Sequence, residues 1–141
     1  MKERIEHIKN INNSWMQSEL CSPATDSDIF GFEKEMQIVI PESYKAFLRI
    51  SNGANLFGGD CILYSVNLDD ELKINYDFSE GNVPKELMIL GLYHTSHICY
   101  DIRYNSFFFY EYEEYDNIKE ECIKFSDFYE VLDYIIDIAI N

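Results

Sequence analysis

The hydrophobic period of this chain changes twice along its length, and that change constrains the fold more than any other feature. Ile5, Ile8, Ile11 and Trp15 recur at intervals of three and four, which places them on one stripe of a helix over about residues 2 to 16. Ile29, Phe32 and Met36 form the apolar face of a second helix over residues 26 to 36, and Thr25-Asp26-Ser27-Asp28 supplies side-chain oxygens to cap it. Pro41 opens a third helix through Tyr44, Phe47 and Leu48, because its missing N–H has no intrahelical partner in the first turn. Asn52-Gly53 suits a left-handed end to that helix. From residue 60 the pattern becomes short runs rich in β-branched and aromatic residues: Cys61 to Tyr64, Leu87 to Leu90, Ile98 to Ile102 and Ser106 to Tyr112. Arg103-Tyr104-Asn105 joins the last two as a hairpin. Helical spacing then returns at Phe125, Phe128, Leu132, Ile135, Ile136 and Ala139, with Ser126 as the expected cap and Asp127 in the first turn. The order predicts an α+β fold: a central, mostly antiparallel sheet covered by the N-terminal helices and one C-terminal helix.

A chain of 141 residues fits one domain spanning 1–141, able to bury about two-thirds of its unfolded surface. Hydrophobic residues make up 47% and aromatics 16%, too much apolar material for a disordered chain. The charge is lopsided: 26 acidic residues against 11 basic ones, a formal net charge of −15. Such a field repels phosphates and anionic head groups, so neither nucleic acid nor a membrane surface is an expected partner. It serves either solubility or the attraction of a partner with a basic surface. The start, Met1-Lys2-Glu3-Arg4-Ile5-Glu6-His7, carries charge where a secretory signal needs an apolar core, which points to the cytoplasm. Cys21, Cys61, Cys99 and Cys122 show no CxxC pairing, so free, mostly buried thiols are expected rather than a zinc or redox site.

Catalytic constellations are weak. His94 and His97 lie three apart in a polar turn, but two ligands do not make a metal site and no third histidine is close in sequence. Cys99 sits in the apolar run Ile98-Cys99-Tyr100, where an inert thiol is the ordinary outcome. Gly58-Gly59 lacks the strand, lysine and helix of a phosphate loop, and Asp69-Asp70-Glu71 lacks the ligand alternation and central glycine of a calcium loop. No cofactor, no metal and no enzymatic activity are expected. An enzyme built on His94, His97 and Asp101 is the rival reading.

The features suited to binding are acidic and aromatic. Six carboxylates fall between Glu111 and Glu121, including Glu113, Glu114 and Asp116, with Lys119 the single cation among them. A second concentration holds Asp69, Asp70 and Glu71, followed by Asp77 and Glu80. Along Phe107-Phe108-Phe109-Tyr110-Glu111-Tyr112, a period of two puts Tyr110 and Tyr112 on one face, either as core with hydroxyls at the edge or at a rim where tyrosine serves interfaces well. The expected partner-binding set is therefore Asp69, Asp70, Glu71, Tyr110, Tyr112, Glu113, Glu114 and Asp116.

The stretch Ile40-Pro41-Glu42-Ser43-Tyr44-Lys45-Ala46-Phe47-Leu48-Arg49-Ile50-Ser51-Asn52-Gly53 resembles the signature of the SUKH superfamily (the Smi/Knr-like domain): a proline-initiated helix with Tyr-Lys and Phe-Leu pairs ending in Asn-Gly. Ile29 to Glu33 upstream, and Leu87 to Gly91, Ile98 to Asp101 and Phe125 to Leu132 downstream, extend the likeness over roughly residues 26 to 139. Tyr93-His94-Thr95-Ser96-His97 departs from it, standing in for a Gly- and Asp-containing turn. The resemblance implies a SUKH-like α+β domain with no agreed catalytic residues. Many bacterial members are immunity proteins that neutralise a polymorphic or contact-dependent toxin encoded beside them, often a nuclease or deaminase. Some fungal relatives regulate cell-wall synthesis through protein contacts. The expectation for this chain is an immunity protein that occludes a cognate toxin with a basic surface, acting as a monomer or weak homodimer. A regulatory scaffold of the cell-wall or signalling type is the alternative.

Overall fold

A computed structural model describes residues 1–11, 16–75, 85–111 and 123–141. Among the described residues four α-helices pack with a seven-stranded sheet, an α+β arrangement as the period changes predict. Helix α1 (Lys2–Asn10) buries Ile5 and Ile8 and is shorter than its apolar stripe suggests. Ile11 leaves the helical region at φ −88° and ψ 84°. The sequence there, Asn10 followed by Asn12, Asn13 and Ser14, is rich in side chains that compete for backbone hydrogen bonds and stop helices. Trp15, the last member of the expected stripe, lies outside the described residues. Arg4 ties α1 to α4 (Phe128–Ile140) through both oxygens of Asp133, at 2.8 and 3.0 Å.

Helix α2 (Asp26–Met36) begins in a reciprocal capping box: Thr25 Oγ1 accepts from the Asp28 N–H at 3.0 Å and Asp28 Oδ2 accepts from the Thr25 N–H at 2.9 Å. Gln37, left-handed at φ 56°, ends it. Pro41 immediately precedes α3 (Glu42–Leu48), whose buried face is Tyr44, Phe47 and Leu48. At α4 the cap is Asp127 rather than Ser126. Asp127 is extended and its Oδ1 accepts the Glu130 N–H at 2.9 Å, while Glu130 Oε2 reaches back to the Ser126 N–H, also at 2.9 Å. Glu130 stands three residues after Asp127, the spacing at which side chain and backbone exchange hydrogen bonds.

The sheet is an antiparallel meander in chain order: β1 (Glu19–Leu20), β2 (Ala54–Leu56), β3 (Cys61–Leu63), β4 (Leu87–Tyr93), β5 (Ser96–Asp101), β6 (Ser106–Glu111) and β7 (Lys124–Phe125). Strands β1, β2 and β7 hold only two or three residues, too few to show a period. The β4–β5 turn runs through His94, left-handed at φ 52°, a conformation histidine adopts more readily than most residues. Gly91 follows a bulge in β4 and lies against β3 so closely that a Cβ there would stand 2.2 Å from the Ile62 carbonyl oxygen.

Phe107 and Phe109 of β6 point toward α4, with ring centroids 6.2 Å from Phe128 and 5.5 Å from Tyr134 respectively. The opposite face presents His97, Cys99, Asp101, Phe108 and Tyr110, and it too is withdrawn from solvent. Both faces of β6 are apolar in sequence, as in sheets covered on two sides. Tyr110 is 2% exposed, so the tyrosine rim expected on this strand is core at that position.

Candidate protein-interaction surface

The Pro41 to Gly53 signature builds framework. Tyr44 is wholly buried, and its hydroxyl donates to the carbonyls of Tyr64 at 2.6 Å and Leu90 at 3.1 Å, clamping α3 to the residue after β3 and to the β4 bulge. Burial raises its hydroxyl pKa well above the ordinary phenol value, so it stays a donor. Lys45 reaches Glu33 Oε2 at 3.3 Å, and the same oxygen accepts the Ile40 N–H at 2.8 Å, which fixes the α2–α3 connection. Asn52 Oδ1 holds the Val66 N–H at 2.9 Å, and the buried Ser51 hydroxyl accepts from the Cys21 N–H and donates to the Gly53 carbonyl. Gly53, at φ 88°, has the Leu63 carbonyl 3.0 Å from where a Cβ would sit.

The outer side of α2 is different. Ser27, Asp28, Gly31 and Glu35, with the buried Phe32, face Asn67, Leu68 and Asp69 across an acidic cleft of about 520 Å³. Asp28, Glu35 and Asp69 bring three carboxylates to it and no lining residue is a cation. Hydrogen bonds from the Thr25 backbone N–H, then its side chain, hold the Asp28 carboxyl below the ordinary carboxylate range, so it stays charged. An added Cβ at Gly31 would meet nothing within 4 Å, so the cleft is open at that point of the helix.

Of the expected binding residues, Asp69 lines this cleft and Glu71 is exposed. Asp70 is spent on its own loop: Oδ1 accepts the Leu72 N–H at 2.9 Å and Oδ2 the Ser65 hydroxyl at 3.2 Å. Glu111 likewise accepts from the hydroxyls of Thr95 and Ser96 at the β4–β5 turn. Tyr112, Glu113, Glu114 and Asp116 lie outside the described residues. Sequence reasoning missed Asp28 and Glu35. Their spacing on one helical stripe with Gly31 and Phe32 was a legible signal, but the opposing loop was not.

A second surface was also missed. Val39, Pro41, Ser43 and Ala46 form one wall of a groove of about 730 Å³, and Tyr100, Ile102, Asn105 and Tyr129 form another. Val39 is 78% exposed and Ile102 51%, and Tyr104, in the same β5–β6 turn as Ile102, is 68% exposed.

The residues weighed for catalysis are dispersed or engaged. His94 is in a turn while His97 is buried in β5. Asp101 is buried and bound by Arg103 at 3.1 and 3.2 Å. Cys61 and Cys99 are buried and Cys21 is exposed. Burial pushes the Cys61 thiol far above its ordinary value, leaving it protonated and unreactive. Among the described residues no group of three His, Cys, Asp or Glu side chains is placed to hold a metal ion, and no helix is long and apolar enough to cross a membrane.

Compared with known protein families, residues 23–131 match the SMI1 / KNR4 family (SUKH-1). No curated protein matches the chain.

Proposed function

Because the chain belongs to the SMI1 / KNR4 family (SUKH-1), known for toxin-immunity domains, we propose that it is an immunity protein that binds a cognate toxin domain with a basic surface and occludes its active site or substrate path. The family match carries the reading. The acidic cleft between α2 and the Asn67–Asp69 loop supports it, since a nuclease or similar toxin that grips phosphates must present lysine and arginine. Asp28, Glu35 and Asp69 occupy positions that such cations seek, and the net charge of −15 accelerates their encounter in a way that salt weakens. Inhibition is steric and electrostatic, with no covalent step. The exposed Glu71 and, by charge and residue type alone, Tyr112, Glu113, Glu114 and Asp116 are further proposed contacts.

The test is co-purification with the toxin domain encoded beside the gene, followed by titration of that pair at several salt concentrations. The proposal expects a stable complex whose affinity falls as salt rises, and protection of cells that express the toxin. An adjacent toxin that neither binds nor is neutralised overturns it.

A further inference from the structure

We propose that Asn52 is a gated deamidation site: the folded junction of Ser51, Asn52 and Gly53 holds the reaction off, and opening of that junction lets the side-chain amide convert irreversibly to an acid. The chain holds one Asn-Gly pair, Asn52-Gly53. Such a pair loses its amide readily, because glycine has no side chain to hinder attack by its own nitrogen or to limit the backbone rotation that attack requires. The step is intramolecular. The Gly53 amide nitrogen gives its proton to solvent base and bonds to Asn52 Cγ, the Cγ–Nδ2 bond breaks, and ammonia leaves. Water then opens the cyclic imide at either carbonyl, restoring the amide N–H and leaving aspartate, or isoaspartate with the main chain routed through Cγ. One water is taken up for one ammonia released, with no oxidant or reductant.

The fold engages the groups that this step must free. The Gly53 N–H, on the attacking nitrogen, donates to the Ser51 carbonyl at 2.9 Å. Asn52 is not among the residues with positive φ, so this three-residue turn is of the inverse γ type, with the Asn52 ψ at about +65°. The Asn52 N–H donates to the Ser22 carbonyl at 2.9 Å while its Oδ1 accepts the Val66 N–H at 2.9 Å, which ties backbone and side chain of one residue to two different segments. Ser51 is fully buried, and its hydroxyl fastens the Cys21 N–H to the Gly53 carbonyl. Ala54, directly after the pair, is registered against Leu20 and Leu63. Attack requires the Asn52-Gly53 link to turn and the amide to leave Val66. Those bonds are released together when the end of α3 parts from its neighbours, so the rate follows the population of that local opening.

Both products alter the junction. Asn52 lines the cleft that holds Asp28, Glu35 and Asp69, so conversion puts a further carboxylate where a neutral amide stood. Isoaspartate also adds a backbone carbon ahead of Gly53. There the Leu63 carbonyl oxygen and the Ser65 Cβ stand 3.0 and 3.3 Å from the position of an added Cβ. A lengthened chain has no room to close as before, so molecules that open and react by this branch keep a weakened junction.

The experiment incubates the full-length chain in mildly alkaline buffer, native and unfolded in guanidinium chloride, and locates amide-to-acid conversion by peptide mass mapping. In denaturant Asn52 is expected to convert before any other asparagine. In native buffer its conversion is expected to slow about tenfold or more, in step with the hydrogen-exchange protection of the Gly53 and Val66 amides. The isoaspartyl chain, returned to native buffer, is expected to unfold about 5 °C or more below the parent, whereas N52D, whose carboxylate still accepts the Val66 N–H, unfolds within about 2 °C of it. Native conversion within twofold of the denatured rate overturns the gate, and another asparagine converting first in denaturant overturns the assignment to Asn52. An isoaspartyl chain with the parental midpoint, or N52D falling as far as the isoaspartyl chain, overturns the weakened junction.

Discussion

Helix α2 carries two carboxylates two residues apart that do opposite work. Glu33 points inward, where one oxygen receives the Ile40 N–H and the Lys45 ammonium, and both members of that ion pair are about 15% exposed. Glu35 points outward into a cleft whose other carboxylates are Asp28 and Asp69 and whose lining holds no cation. The first is satisfied by its own chain. The second has no cation among the residues that line its cleft. The same contrast runs through the molecule: the recognisable signature is consumed in holding α3 to the sheet, while the surface proposed to act has an ordinary composition made specific by placement.

The contrast breaks first where a framework position is altered. Gly91→Val is expected to cost about 4 kcal/mol or more, or to prevent folding, because the added Cβ meets backbone of β3 rather than a movable side chain. Yield of soluble protein and urea denaturation read this directly. Tyr44→Phe removes a donor shared by two buried carbonyls and is expected to cost about 1 to 3 kcal/mol in the same titration. Lys45→Met leaves Glu33 with its backbone bond but no ammonium. Since the pair is only partly shielded, about 1 to 2 kcal/mol is expected, below the cost for a fully buried pair. A loss below about 0.5 kcal/mol for either variant would contradict the framework role.

The cleft side sharpens the contrast by responding in the other direction. Gly31→Ala is expected to stabilise the chain by about 0.5 to 1 kcal/mol, because the helix gains propensity and the methyl meets no neighbour. Destabilisation would show that the α2 stripe is packed rather than open. The smallest effect is a pH dependence at Asp28. Its carboxyl is held below the ordinary range in the folded chain, so its stabilising contribution is complete above the unfolded value of about 4 and is lost as pH falls through the lower folded value. Asp28→Asn is expected to flatten that part of the acid limb in thermal unfolding between about pH 5 and 2, and an unchanged limb would contradict the capping assignment.

Much of this architecture is legible in the residues. Capping of α2 by Thr25 and Asp28, the Pro41 start of α3, the four longer or central strands and the apolar face of α4 all follow from spacing and side-chain chemistry. Three short strands escape because two or three residues carry no period, and α1 ends early because asparagine and serine outweigh an apolar stripe continued by Ile11 and Trp15. The surface was harder to read. Asp69 is recognisable as acidic, but its pairing with Asp28 and Glu35 depends on how a loop crosses a helix about 40 residues earlier in the chain. Tyr110 shows the converse: a period of two tells which face a ring joins, not whether that face is covered.

The central claim is that the acidic cleft is a binding surface and not part of the framework. Its most direct test is the affinity for the proposed cognate toxin domain of the Glu35→Lys and Asp69→Lys double variant, measured beside its unfolding midpoint over a range of salt concentrations. The account predicts stability within about 0.5 kcal/mol of the parent, together with affinity weakened about ten- to a hundredfold at low salt and a shallower salt dependence. Equal affinity with an equal salt dependence would contradict it.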